Sequence, residues 1–252
     1  ASNTLATLLT KRLDARIYGF VVEEPTAGGH NAPPRDKVAY GPRDLVDYLK
    51  MKDLGISFWI GGSNASPVVI CRTLYLGAKG IQAGTIFAFC DDSGMHPEIR
   101  RVARRLGYNG TAKVVTDLVA SPTGYPFKVL QLAGSVSDEI VYATRTRVCD
   151  QGALVEYFKR PDGTIGQRCP SEPVDAYIKK GGKLDDTIGR KCVCNGLVTT
   201  GNLRYDGETH EPFLVTSGDD MECFKHLMRS EDDTYSARCA LDYLFQGAPP
   251  IP

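Results

Sequence analysis

The sequence predicts an α/β protein whose first part is a parallel (β/α) array of barrel type and whose second part is a cysteine-containing tail of loops and short helices. Two observations predict the array. Three apolar runs, at 19–24, 57–63 and 80–87, each contain or end in glycine, and amphipathic segments of helical period separate them. A third predicts the tail: from about Arg145 the chain turns to short turns, many charges and cysteines. The domain division expected is therefore 1–130 for the array and 131–252 for the extension.

The elements follow in order. Residues 3–12 carry Leu5, Leu8 and Leu9 along one helical face and end in Lys11 and Arg12, where the helix dipole favours cations. Residues 19–24 read as a strand buried on both faces, and 28–41 as a loop rich in Gly, Asn and Pro. A helix is expected over 42–53, with Leu45, Val46 and Leu49 on one face. The strand at 57–63 leads to Ser66-Pro67, an N-cap with proline at the first helical position, and that helix ends at Gly77. The run 80–87 reads as the third strand. A basic helix follows over 97–106, between Pro97 and Gly107. Two short amphipathic helices close the chain, 217–228 with Asp219 and Asp220 in its first turn and 236–245 capped by Ser236. Glu231 to Asp233 reads as a solvated turn.

Chemistry points first to Ala27-Gly28-Gly29-His30, at the end of the first strand. Gly28 and Gly29 leave no side chain between the backbone and whatever lies above it, which suits a flat cofactor or a close-packed substrate. An imidazole with an ordinary pKa near ~6.5 is the natural proton-transfer group at neutral pH. The alternative is a plain strand-to-loop turn whose histidine bonds its own loop. Gly61, Gly62 and Ser63, with Gly84 and Thr85, repeat the glycine pattern at the next two strand ends. In barrels, adjacent strand-end loops of this kind commonly hold a phosphate.

These motifs resemble those of the nitronate monooxygenase family of flavoproteins. The Ala-Gly-Gly-His of 27–30, the Gly-Gly-Ser of 61–63 and the Gln-Ala-Gly-Thr-Ile-Phe of 82–87 look like its signature and its two flavin-phosphate segments. Thr116-Asp117 and 121–128 look like a segment from a bacterial branch of it. The resemblance implies that His30 is the catalytic base and that Gly28, Gly29, Gly61, Gly62, Ser63, Gln82, Gly84 and Thr85 bind flavin mononucleotide (FMN). It implies oxidation of alkyl nitronates with O2 to a carbonyl compound and nitrite. Family members begin with a Gln-Gly-Pro-Met-like strand and further barrel strands that are missing here. The expected fold is thus the C-terminal half of a (β/α)8 TIM barrel, completed by a second chain or by an N-terminal segment of a longer protein. The start at Ala1, with a helix signal at Ser2-Asn3-Thr4, adds to that expectation. A flavin-dependent enoyl reductase and a non-catalytic subunit are the alternatives. Tyr125 and Phe127 are candidates for a pocket wall.

Thirty basic residues balance thirty acidic ones, and the densest basic group is Arg100, Arg101, Arg104 and Arg105 on one predicted helix. Nucleic acid and anionic membrane are therefore not expected partners, and a small molecule is. No apolar run approaches the ~20 residues of a membrane span, so a cytoplasmic location is expected. Of eight cysteines, Cys71, Cys90, Cys223 and Cys239 sit in apolar patterns and read as core residues. Cys149, Cys169, Cys192 and Cys194 could together hold zinc or an iron–sulfur cluster, with Arg190 and Lys191 stabilising thiolates, or could be buried free thiols.

Overall fold

The structure, a computed structural model, describes residues 2–13, 16–203 and 210–246. The first elements are α1 (Asn3–Arg12), β1 (Gly19–Glu23), α2 (Tyr48–Asp53), β2 (Ser57–Gly61), α3 (Pro67–Tyr75), β3 (Gly80–Gln82), α4 (Thr85–Ala88) and α5 (Pro97–Tyr108). There follow β4 (Val114–Asp117), β5 (Phe127–Leu130), α6 (Glu139–Thr144), β6 (Glu156–Lys159), β7 (Ile165–Arg168), α7 (Val174–Lys179), α8 (Val193–Thr200), α9 (Phe224–Leu227) and α10 (Ala237–Leu244). Contacts divide the chain into two compact units, Ala1–Ser93 with Arg100–Ala112 and Ser217–Pro252, and Gly94–Ile99 with Lys113–Thr216. The units are not consecutive halves of the sequence. Among the described residues no helix is long and apolar enough to cross a membrane.

In the first unit, β1, β2 and β3 form a parallel sheet in chain order. Parallel neighbours need a crossover, which α2 and α3 supply. The caps agree with the sequence: Ser2 Oγ accepts from the Leu5 N–H, and Ser66 Oγ from the Val69 N–H. β1 is not buried on both faces. Phe20 and Val22 join Ala6, Met51, Phe58, Ile60 and Ala78 in the core, while Val21 points outward. Burial of each large apolar side chain contributes roughly 1.5–3 kcal/mol.

Four expected elements differ. The segment 42–53 is a 3-10 turn, Pro42–Asp44, and then α2, because the Asp44 carboxylate accepts from the Arg35 and Gly41 N–H groups and Asp47 caps α2. Leu45 and Leu49 stay exposed; Val46 alone of the three packs on the core. The run 80–87 leaves the sheet after Gln82, where Gly84 O accepts from the Phe87 and Ala88 N–H groups and starts α4. α5 passes through Gly107, because that glycine lets the Phe224 ring in: a Cβ there would stand 2.4 Å from Phe224 Cδ2. In 217–228 only α9 is helical, since Gly218 and Asp219 bond to Thr85 Oγ1 and Thr26 O instead of to a helix of their own. The last helix, α10, starts from the Ser236 cap as expected.

The basic face of α5 is used internally. Arg100 donates to the carbonyls of Cys90, Asp91 and Ser93, Arg104 pairs with Asp91 at 2.7 Å, and Arg105 reaches Glu231 at 2.9 Å. Glu231 to Asp233 is thus an ion-paired turn, its third residue holding Arg229. Of the four cysteines expected in the core, Cys90 and Cys223 are buried, whereas Cys71 and Cys239 lie on outward helical faces and are exposed.

In the second unit β4 pairs with β5 and β6 with β7, both antiparallel. Its core joins Ala120, Phe127, Val129, Val136, Val193 and Leu214. Phe127 is therefore a core residue and Tyr125 is exposed, in place of the pocket wall expected of them. α8 lies close against the 212–214 segment because Gly196 has no Cβ; one would meet Leu214 Cβ at 2.6 Å.

Candidate functional site

The register of the parallel sheet builds the site. Glu23 pairs with Gly61 and Gly61 with Gln82, so the three strands end level, and the loops carrying the candidate residues leave from one carboxyl edge. Gln82 Nε2 donates to Glu23 Oε1 at 3.4 Å across the intervening Gly61. The Glu24 N–H donates to Gly61 O at 2.9 Å, so the backbone pairing runs one residue past β1. From α2, the Tyr48 hydroxyl donates to the Glu24 carboxylate.

Each candidate has a definite place. Gly28 lies under the 217–218 backbone, and Thr85 Oγ1 accepts from the Gly218 N–H at 2.9 Å, so both are engaged by the chain itself. Gly62 packs against the first loop, where a Cβ would meet Thr26 Oγ1 at 2.7 Å. Gly62 and Ser63 have φ of 107° and 49°, so the chain turns sharply here in a region that non-glycine residues seldom adopt. Over Gly29 and Gly84 the space is open. His30 is partly buried, and that burial lowers its pKa from 6.5, leaving the imidazole neutral at pH 7.

Three polar atoms at these loops are buried and unpartnered: Thr26 Oγ1, Asn31 Oδ1 and Asn64 Nδ2. Each costs about 1–3 kcal/mol if it stays so. The sequence reading missed them, although Thr and Asn among glycines just past a buried strand were the available signal. It also missed the 217–222 segment, which no motif marks. With Ser63, Gly107, Gly110 and Ala112, residues Asp219 to Glu222 line a cleft of about 430 Å³. Its carboxylates, Asp219, Asp220 and Glu222, repel a phosphate there, and Ser63 belongs to the same lining.

In the second unit the four tail cysteines approach one another. Cys192 Sγ and Cys194 Sγ are 3.8 Å apart, and Cys169 and Cys192 lie near enough to Cys149 to raise its pKa. As they stand, no group of three or more His, Cys, Asp or Glu side chains among the described residues forms a metal-ion site. Arg190 and Lys191 do not serve as expected: Arg190 donates to Val119 O and Lys191 pairs with Asp117 at 2.6 Å.

No protein-family model matches the chain. No curated protein matches it either. Among solved structures it is similar to that of FabK from Thermotoga maritima, with a TM-score of 0.49 and 14% identity. That likeness covers 98% of this chain and 58% of the FabK chain, so this chain spans less than two thirds of that protein's length.

Proposed function

We propose that this chain contributes strand-end loops of an FMN site to an oxidoreductase of the nitronate monooxygenase type, a further segment or second chain supplying the remaining strands of a (β/α)8 barrel. The observation that carries this reading is the Glu23–Gly61–Gln82 register. It gathers at one sheet edge the three motifs whose resemblance implied flavin, at the end where α/β folds keep ligand sites.

The residues present fit the group at several points. The open space over Gly29 and Gly84 suits a flat ring system, and the unpartnered Thr26, Asn31 and Asn64 atoms are hydrogen-bonding groups for a polar ligand. Gly28 and Thr85 serve less directly, by holding the 217–219 segment against the loops. Bound there, FMN would supply the electron chemistry, accepting electrons from a carbon acid and passing them to O2. The protein's own part is proton handling: a neutral imidazole at His30 can take the α-proton of a nitroalkane, and its lowered pKa keeps it ready at neutral pH.

The test is the visible spectrum of the native protein with and without added FMN, followed by nitrite release from an alkyl nitronate. Flavin bands and nitrite are expected. A colourless protein that takes up no FMN would overturn the reading. Flavin bands with NAD(P)H oxidation that needs an enoyl thioester, and no nitrite, would select the enoyl reductase instead.

A further inference from the structure

We propose that Cys192 and Cys194 are a redox-active dithiol at the start of α8, which a small-molecule disulfide converts reversibly to an internal disulfide. The inference rests on the second unit alone and is independent of the flavin reading.

Contact between the two sulfurs is the first argument. Residues two apart inside a helix do not face each other. Cys192 escapes that rule because it is the N-cap of α8, with a non-helical ψ of 86°, while Cys194 is already the second helical residue. The turn between them brings Cys192 Sγ to 3.8 Å from Cys194 Sγ. Both are free thiols, and closing to the ~2.05 Å of a disulfide takes about 1.8 Å, within reach of rotations about the two Cα–Cβ bonds. Val193 between them is anchored in the core with Ala120, Phe127 and Leu214, so the pair stands on a fixed piece of backbone. Among the described residues no group of three or more His, Cys, Asp or Glu side chains makes a metal-ion site, so thiol chemistry is what the pair offers.

The second argument is the difference between the two sulfurs. Cys192 is 2% exposed, whereas Cys194 is partly open to solvent. A small disulfide therefore meets Cys194 first. Cys192 has the surroundings of a nucleophile instead. The buried Asn195 amide donates to Val148 O at 3.0 Å, which fixes its orientation, and to Cys192 Sγ at 3.2 Å. An N–H donor and a place at a helix N-terminus both favour the thiolate, the form that attacks.

The step balances without a further reactant. The Cys194 thiolate attacks one sulfur of R–S–S–R, forming a mixed disulfide and expelling RS⁻, which takes the proton that Cys194 gave up. Cys192 then attacks Cys194 Sγ; the 192–194 bond forms, the mixed disulfide breaks, and a second R–SH leaves with the proton of Cys192. Two protein thiols are oxidised and one small disulfide is reduced to two thiols. A ring closed over one intervening residue is tight, and strained disulfides are the readily reduced ones, so excess thiol reverses the step.

The experiment treats the reduced, unmodified full chain with glutathione disulfide, quenches it with acid, alkylates the remaining thiols and digests with trypsin. Cleavage after Lys191 leaves both cysteines in one peptide, where an internal disulfide reads as two hydrogens lost and two alkyl groups absent. More than about half of that peptide is expected in the disulfide form, falling below about a tenth after dithiothreitol. Cys192→Ser is expected to stop at glutathione on Cys194, and Cys194→Ser to leave Cys192 unmodified. Because these variants could misfold, the peptide from the unmodified chain decides the proposal. Both thiols of that peptide remaining free, a bridge from either to Cys149 or Cys169, or glutathione retained on Cys194 of the unmodified chain would each overturn it.

Discussion

A methyl group on Gly28 would stand 2.8 Å from the carbonyl carbon of Ser217. The glycine at the candidate site is thus explained first by chain packing, because the 217–219 segment lies against the first strand-end loop. Gly28→Ala is expected to destabilise the protein by about 1–3 kcal/mol, as overpacking does. Gly84→Ala, with open space above it and an ordinary φ, should stay within about 0.5 kcal/mol. Denaturant midpoints check both, and a loss of FMN affinity in Gly84→Ala without loss of stability would mark that loop as a ligand contact.

His30→Asn is expected to cut turnover of neutral nitroalkanes by about 10²-fold or more while FMN stays bound. Preformed nitronates need no proton removed and should suffer much less. Steady-state kinetics on the two substrate forms separates the roles; equal losses on both would remove His30 from proton transfer.

The pH dependence of stability has a definite sign at the same residue. Burial lowers the folded-state pKa of His30 below its unfolded value, so the fold favours the neutral ring. Its contribution is fully present above pH 6.5 and is lost as pH falls below 6.5 and through the folded pKa. Wild type should therefore lose more stability than His30→Asn between pH 7 and pH 5, measured as unfolding midpoints at each pH.

Arg145 and Glu211 form an ion pair at 3.1 Å with both side chains nearly inaccessible, at 3% and 1% exposure. Glu211 also accepts from the Val148 N–H, and Arg145 donates to Arg190 O, so the pair joins three segments of the second unit. Arg145→Met leaves a buried carboxylate uncompensated and is expected to cost about 3–5 kcal/mol. Adding Glu211→Gln should restore part of that, a coupling that a double-mutant cycle reads directly.

How far the sequence was legible depended on range. Ser2 and Ser66 marked helix starts because a cap acts on N–H groups within three residues. Gly77, at φ 89°, marked a helix end for the same local reason. Gly107 misled, because what lies beside it is Phe224, more than a hundred residues away in the chain. The single helix expected over 42–53 failed at Asp44, whose carboxylate found Arg35 and Gly41 N–H groups that periodicity does not register. Arg190 and Lys191 looked like neighbours for the thiolates, but the fold turned them to Val119 and Asp117.

The sequence by itself determined the parallel β/α character of the first unit, the starts of α1, α3, α5 and α10, and which glycines and histidine stand at strand ends, since these follow from local periodicity and capping. Tertiary structure decided what those residues meet. It laid Ser217 to Asp219 over Gly28 and beside Thr85, left Thr26, Asn31 and Asn64 with buried unpartnered atoms, and drew Cys149 and Cys169 to Cys192 and Cys194. Such contacts join residues far apart in the chain. Their free energy depends on burial and on the direction of each polar group, which only the folded chain fixes.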